Sequence, residues 1–121
     1  MPQGADLIRK ADDKAAGLIV DSWHVFRAGT ALEDFEAVVA PPQMVFGVEL
    51  SDADAEPRGT LFEDTRDNRR YPGQGERDVA GFITSMRRLG WEGSRGVEML
   101  SRPSIGACPW ERDCSGRDTQ R

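Results

Sequence analysis

Three acidic residues stand at or near the ends of apolar runs. Asp21 closes Gly17-Leu18-Ile19-Val20-Asp21, Glu49 follows Val45-Phe46-Gly47-Val48, and Glu98 sits within Gly96-Val97-Glu98-Met99-Leu100. If the runs are parallel strands whose C-terminal ends meet at one mouth, their carboxylates can share a divalent cation. Oxygen donors suit Mg²⁺ or Mn²⁺. A single acid at a strand end more often caps a helix or meets solvent. Three in register raise the metal reading to parity.

His24 forms an Asp-x-x-His pair with Asp21. An imidazole there can bind a hydroxyl, pass a proton or ligate a metal. Its neighbours Trp23 and Phe26 either form an apolar platform for a sugar ring or belong to the core. Further on, Gly73-Gln74-Gly75-Glu76 after Pro72 predicts a tight turn into a helix N-terminus, with amides able to hold an anion. Arg66, Arg69 and Arg70 interleave with Glu63, Asp64 and Asp67. That pattern favours a solvated loop over an anion site.

The elements that must position these residues are legible from periodicity. A helix is expected over residues 5–15, with Leu7, Ile8 and Ala11 on one face. Residues 16–20 form an unbroken apolar run suited to a strand covered on both faces. Thr30 and Glu33 have capping-box spacing before Leu32, Phe35, Val38 and Val39, and Pro41-Pro42 ends that helix. The second strand is expected over 44–50, followed by a long polar loop over 51–77. Asp78 can cap a helix whose apolar face is Val79, Phe82, Ile83, Met86 and Leu89, with Gly90 just past its end. The third strand is expected over 96–100. Strands alternating with helices imply a parallel α/β sheet. Three such strands alone leave edges unpaired and helix-facing surface only partly covered.

Composition narrows the classes. The chain has 121 residues, one domain's worth, and 31% of them are charged. A mean hydropathy of −0.56 is polar for a sheet buried on both faces, so core-forming sequence is expected to be missing. The net charge of −5 and the lack of a basic stripe argue against a nucleic-acid partner. No run is long enough to span a membrane, and the first residues lack an export signal, so a cytoplasmic protein is expected. Cys108 and Cys114 are poor evidence for a disulfide in that compartment, and far from His24 they make an improbable zinc set.

Taken in order and spacing, Val20-Asp21-Ser22-Trp23-His24, Tyr71-Pro72-Gly73-Gln74-Gly75-Glu76 and Gly96-Val97-Glu98-Met99-Leu100 resemble the xylose isomerase-like TIM-barrel superfamily of sugar phosphate isomerases and epimerases. The resemblance covers roughly residues 5–101. It implies that the chain is the C-terminal part, about strands six to eight, of an incomplete (β/α)8 barrel. It implies Asp21 as the sixth-strand metal ligand, His24 as the substrate-contacting histidine, and Glu98 as both ligand and acid/base. Glu49-Leu50-Ser51-Asp52 stands where the family often has His-x-x-Asp, so Glu49 is the third expected ligand. The expected catalytic residues are therefore Glu98 and His24, and the expected metal set is Asp21, Glu49 and Glu98. Mn²⁺ or Mg²⁺ is the expected ion, with Co²⁺ or Zn²⁺ as alternatives. The family's other acid/base glutamate belongs to a fifth strand that this sequence lacks.

The implied activity is isomerisation or epimerisation of a small sugar, keto-sugar or sugar phosphate, with this short chain expected to be inactive alone. One alternative is a non-catalytic fragment or half barrel that needs a partner chain for its missing strands. Others are an inosose-type dehydratase and a hydrolase of the endonuclease IV branch, the latter opposed by the single histidine and the acidic charge. Residues 102–121 show no apolar periodicity where a last helix is due, and are expected to be aberrant and disordered. With GC-rich codons, reading one base earlier from Ser101 can spell Glu-Ala-Glu-His-Arg-Gly-Leu-Pro-Val, much like the family's turn after its eighth strand. A frameshift is therefore expected, and coding DNA with no such alternative frame contradicts it.

Overall fold

The computed structural model describes residues 1–101; the expected aberrant tail lies outside them. Helix α1 (Pro2–Ala11) leads into strand β1 (Leu18–Asp21), which runs directly into α2 (Ser22–Arg27). Then come α3 (Leu32–Val39), a 3-10 turn (Pro42–Met44), β2 (Val45–Leu50), α4 (Leu61–Asp67), α5 (Val79–Arg88) and β3 (Arg95–Val97). The strands form one parallel sheet in the order β1-β2-β3.

Successive side chains of a strand point to opposite faces. The β1–β2 register shifts by one residue between Leu18, paired with Val45, and Ile19, paired with Gly47, so Val45 and Val48 both turn with Val20 toward the helices and join Val25, Phe35, Val39, Phe82, Met86 and Trp91 in the core. Phe35 of α3 and Phe82 of α5 meet with ring centroids 5.3 Å apart. The Trp91 indole N–H donates to the Val45 carbonyl at 2.9 Å, which fixes the chain after α5 against the start of β2. Ile19 and Phe46 turn away from this core and stay more than half exposed, at 56% and 54%. The sheet is thus packed on one face and largely open on the other, which matches the expectation of a partial barrel. No helix is long and apolar enough to cross a membrane among the described residues.

Several local expectations need correction. Helix α1 stops at Ala11 because Asp12 turns left-handed, φ 44°, and its N–H closes onto the Ile8 carbonyl. Thr30 does not cap α3. The unforeseen helix α2 draws the Thr30 N–H to the Val25 carbonyl, and Ala31 becomes the N-cap, without a side-chain bond. The capping box belongs instead to Thr60 and Glu63 at the start of α4, so residues 51–77 are not a structureless loop. Asp78 caps α5 through the Gly81 N–H as expected, and Gly90 takes the positive φ of 80° that follows the helix. Strand β3 is shorter than expected, because Leu100 and Ser101 turn aside to pair with Arg69 and Asn68.

The turn at Gly73–Gly75 does not present free amides to an outside anion. Its anion is Asp52, which is fully buried. Asp52 Oδ2 accepts from Gly73 N and Gly75 N at 3.0 and 2.9 Å, and Oδ1 accepts from Ala53 N and Arg77 N at 2.7 and 3.0 Å. A Cβ on Gly75 would collide with this carboxylate and with the Ala53 carbonyl. Asp52→Ala leaves these donors without an acceptor and should cost more than about 3 kcal/mol, against about 1 kcal/mol for Thr60→Ala. Denaturant unfolding checks the order of the two. Faster hydrogen exchange at Gly73 and Gly75 should appear only in the Asp52 variant.

Candidate metal and acid–base site

The sheet register brings the acids together. Asp21 pairs with Glu49 and Glu49 with Gly96, two residues before Glu98. The Glu98 N–H donates to the Leu50 carbonyl at 3.1 Å and carries the pairing one step past β3. One oxygen from each of Asp21, Glu49 and Glu98 lies within 4.8 Å of the others. The three expected ligands thus meet at the C-terminal ends of their strands.

Each acid sits differently. Asp21 is buried and doubles as the N-cap of α2, its Oδ1 accepting from the Trp23 N–H at 2.8 Å. The Glu49 side chain makes no hydrogen bond among the described residues and is free to ligate. Glu98 is over a third exposed, at 37%, and reaches the open side. Hard, convergent oxygens at this spacing fit a divalent cation.

The residue that the sequence did not single out is Arg69. It is a buried member of this cluster, not part of a solvated loop. Its Nη1 donates to Asp21 Oδ2 at 2.7 Å, to Glu98 Oε2 at 2.6 Å and to Ser51 Oγ at 3.3 Å. From behind, Nε donates to the Thr65 carbonyl at 3.0 Å and Nη2 to Thr65 Oγ1 at 2.8 Å. Helix α4 supplies Thr65, so the unforeseen helix explains the unforeseen arginine. The sequence signal was indirect: three converging acids call for a counter-charge, and Arg69 is one of several arginines between β2 and α5. Arg70 differs, pairing with Asp54 through two bonds of 2.9 and 3.1 Å and holding that carboxyl below its ordinary range.

His24 lies beside the cluster, its Nε2 3.7 Å from Asp21 Oδ2, and its side chain is 57% exposed. Asp21 and His24 share the wall of a shallow cavity of about 370 Å³ that includes Ile19. The platform reading of Trp23 does not hold. Trp23 is buried, its Nε1 donates to Asp64 Oδ2 at 3.2 Å, and the Arg27 and Arg69 guanidinium centres lie 5.7 and 5.4 Å from its ring. Phe26 packs against Phe82 at 6.3 Å and belongs with the core.

Burial pushes the Glu98 carboxyl above its ordinary value. Its hydrogen bond with Asp21 and the charges of Asp21 and Glu49 act in the same direction, while Arg69 opposes them. Glu98 therefore binds its proton more tightly in the fold than in the unfolded chain. The stability this contributes is present below the ordinary value of 4.5 and is lost as pH rises through the higher folded value. In chelator, Glu98→Gln should lose less stability than the parent between about pH 4 and pH 7. Parallel pH dependence of the two melting temperatures would contradict this.

The xylose isomerase-like TIM barrel family model matches residues 1–115. The chain is 33% identical over 99 residues to a 3-dehydroshikimate dehydratase of Pseudomonas putida, covering 79% of this chain and 15% of that protein. It is 27% identical over 98 residues to an inosose isomerase of Bacillus licheniformis, covering 81% of this chain and 34% of that one. The chain thus spans about a third or less of these relatives. Among solved structures, it matches a xylose isomerase-like TIM barrel/4-hydroxyphenylpyruvate dioxygenase fusion protein with a TM-score of 0.73 and 31% identity, over 82% of this chain and 16% of that one. The IOLI protein, crystallised with a binding zinc atom, matches with a TM-score of 0.79 and 22% identity, over 92% of this chain and 38% of that one, a likeness of fold. With three parallel strands, interleaved helices and a family match over most of its length, the chain belongs to the xylose isomerase-like TIM-barrel family, as a partial barrel.

Proposed function

We propose that these residues form part of a metal-assisted proton-transfer site for isomerising or epimerising a small sugar, keto-sugar or sugar phosphate. The observation that carries this reading is the convergence of Asp21, Glu49 and Glu98 at the C-terminal ends of adjacent parallel strands. Barrels of this kind place their chemistry at that end. In this reading the strands are the sixth, seventh and eighth. A divalent ion held by the three carboxylates, Mn²⁺ or Mg²⁺ by its donor set and Zn²⁺ by analogy with the IOLI protein, would polarise adjacent carbonyl and hydroxyl oxygens of a substrate.

The chain's own groups then have distinct tasks. Glu98, partly exposed at the mouth of the cluster, is placed as a base that takes a proton α to a carbonyl and returns it. His24, exposed beside Asp21, is placed to bind a substrate hydroxyl. Arg69 supplies the counter-charge against which Asp21 and Glu98 converge. A proton lost next to a carbonyl also opens the way to loss of water from a hydroxyketone. Dehydration is therefore the second reading, favoured by the 3-dehydroshikimate dehydratase relative.

Among the described residues the glutamate that joins Glu98 in this cluster is Glu49, on the adjacent strand, which this reading uses as a metal ligand. The open sheet face around Ile19 and Phe46 has no cover among the described residues. Turnover accordingly requires further strands, which a partner chain can supply, and these residues alone are expected to bind metal without turning over substrate. In calorimetric titration with Mn²⁺, Asp21→Asn and Glu49→Gln should each weaken binding by at least about tenfold. Affinities that ignore both substitutions would refute the proposed ligand set.

A further inference from the structure

We propose that Arg69 is an internal cation that competes with a divalent ion for the oxygens of Asp21 and Glu98. This rests on the ligand set of the proposed function. It departs from a purely supporting role for the arginine, because its contacts fall on oxygens of two of the three proposed ligands. Nη1 lies 2.7 Å from Asp21 Oδ2 and 2.6 Å from Glu98 Oε2. An ion bonded to those same oxygens at about 2.0–2.2 Å, on the side from which Nη1 approaches them, would stand almost where Nη1 stands. Two cations cannot share that space.

The arrangement also provides for the exchange. The guanidinium is anchored through Nε and Nη2 to Thr65, and neither bond involves the acids. Because the guanidinium is planar and rigid, Nη1 leaves the acids only when the whole group turns. Ser51 Oγ, at 3.3 Å, already stands as its alternative acceptor. Ser51 is itself fixed, its N–H bonded to Ser22 Oγ at 2.9 Å and its carbonyl accepting from the same hydroxyl at 2.6 Å. A small turn of the whole guanidinium, carrying Nη1 from Glu98 toward Ser51, would clear the oxygens while its bonds to Thr65 readjust and the group stays near Trp23.

Charge completes the argument. Three carboxylates against one guanidinium leave two negative charges, the complement of one divalent ion. Without the guanidinium the acids face one another uncompensated and gain more from an added cation. An intramolecular competitor lowers the apparent affinity for metal and keeps the acids together when metal is scarce.

The test is calorimetric titration of the full chain with Mn²⁺ and with Zn²⁺, on the parent, Arg69→Gln and Arg69→Lys. Arg69→Gln should bind at least about tenfold tighter than the parent, and Arg69→Lys, which keeps the charge, should stay close to it. In chelator Arg69→Gln should melt lower than the parent, and saturating metal should restore most of the loss. Equal or weaker binding by Arg69→Gln overturns the competition and leaves the ligand set standing. Binding by none of the chains overturns both. If Arg69→Gln does not fold, the parent decides: its Arg69 Nε–H resonance, assigned by its absence in Arg69→Lys, should shift on saturation with Mg²⁺ or Zn²⁺. A resonance that stays in place on saturation overturns the proposal.

Discussion

Parallel strands that each end in an acid concentrate negative charge at one edge of the sheet, and this fold meets that repulsion with a buried guanidinium. Arg69 is 3% exposed and spends its donors on Asp21, Glu98, Ser51 and Thr65. Burying a charge is costly unless it is paired and its hydrogen bonds are filled. Here both conditions are met, and the pairing joins pieces distant in sequence. Asp21 ends β1, Glu98 follows β3, Ser51 follows β2 and Thr65 lies on α4. The segment between β2 and α5 is therefore tied across the ends of all three strands by one side chain.

The same segment is held at two more points by acids turned inward. Asp52 gathers the amides of the Gly73–Gly75 turn. Asp64 is almost fully buried and accepts from the Trp23 indole, from Arg27 Nε at 2.8 Å and from the Arg58 N–H at 2.8 Å. A polar stretch with few apolar anchors thus gains its order from buried carboxylates with filled hydrogen-bonding capacity. This explains how a composition with little apolar surplus supports a defined loop above the sheet.

The covered and open faces of the sheet have different meanings. The covered face is a dense core of valines and aromatics contributed by β1, β2, α3 and α5. The open face carries apolar Ile19 and Phe46 and, nearer the strand ends, the acids. In a closed barrel such a face is interior. Its exposure here agrees with the small share of each relative's length that the chain spans.

By itself, the sequence determined the strands, the parallel α/β class and the three acids. These follow from local periodicity and from residue types that report their own surroundings. Val20, Val48 and Phe82 read as core because apolar spacing persists over a whole element, and Asp78 with Gly90 read as helix ends because caps are local devices. The capping-box pattern was read at Thr30 and Glu33, but the bond from Thr30 to α2 leaves Ala31 as the N-cap there, and the box forms at Thr60 and Glu63. Only the tertiary structure decided that Arg69 is buried while Arg70 is half-exposed on Asp54, and that the Gly73–Gly75 amides face Asp52. The reason is physical. Whether a charged side chain is solvated or buried depends on which partners arrive from distant segments, and a run of alternating Arg, Asp and Glu carries no record of those arrivals.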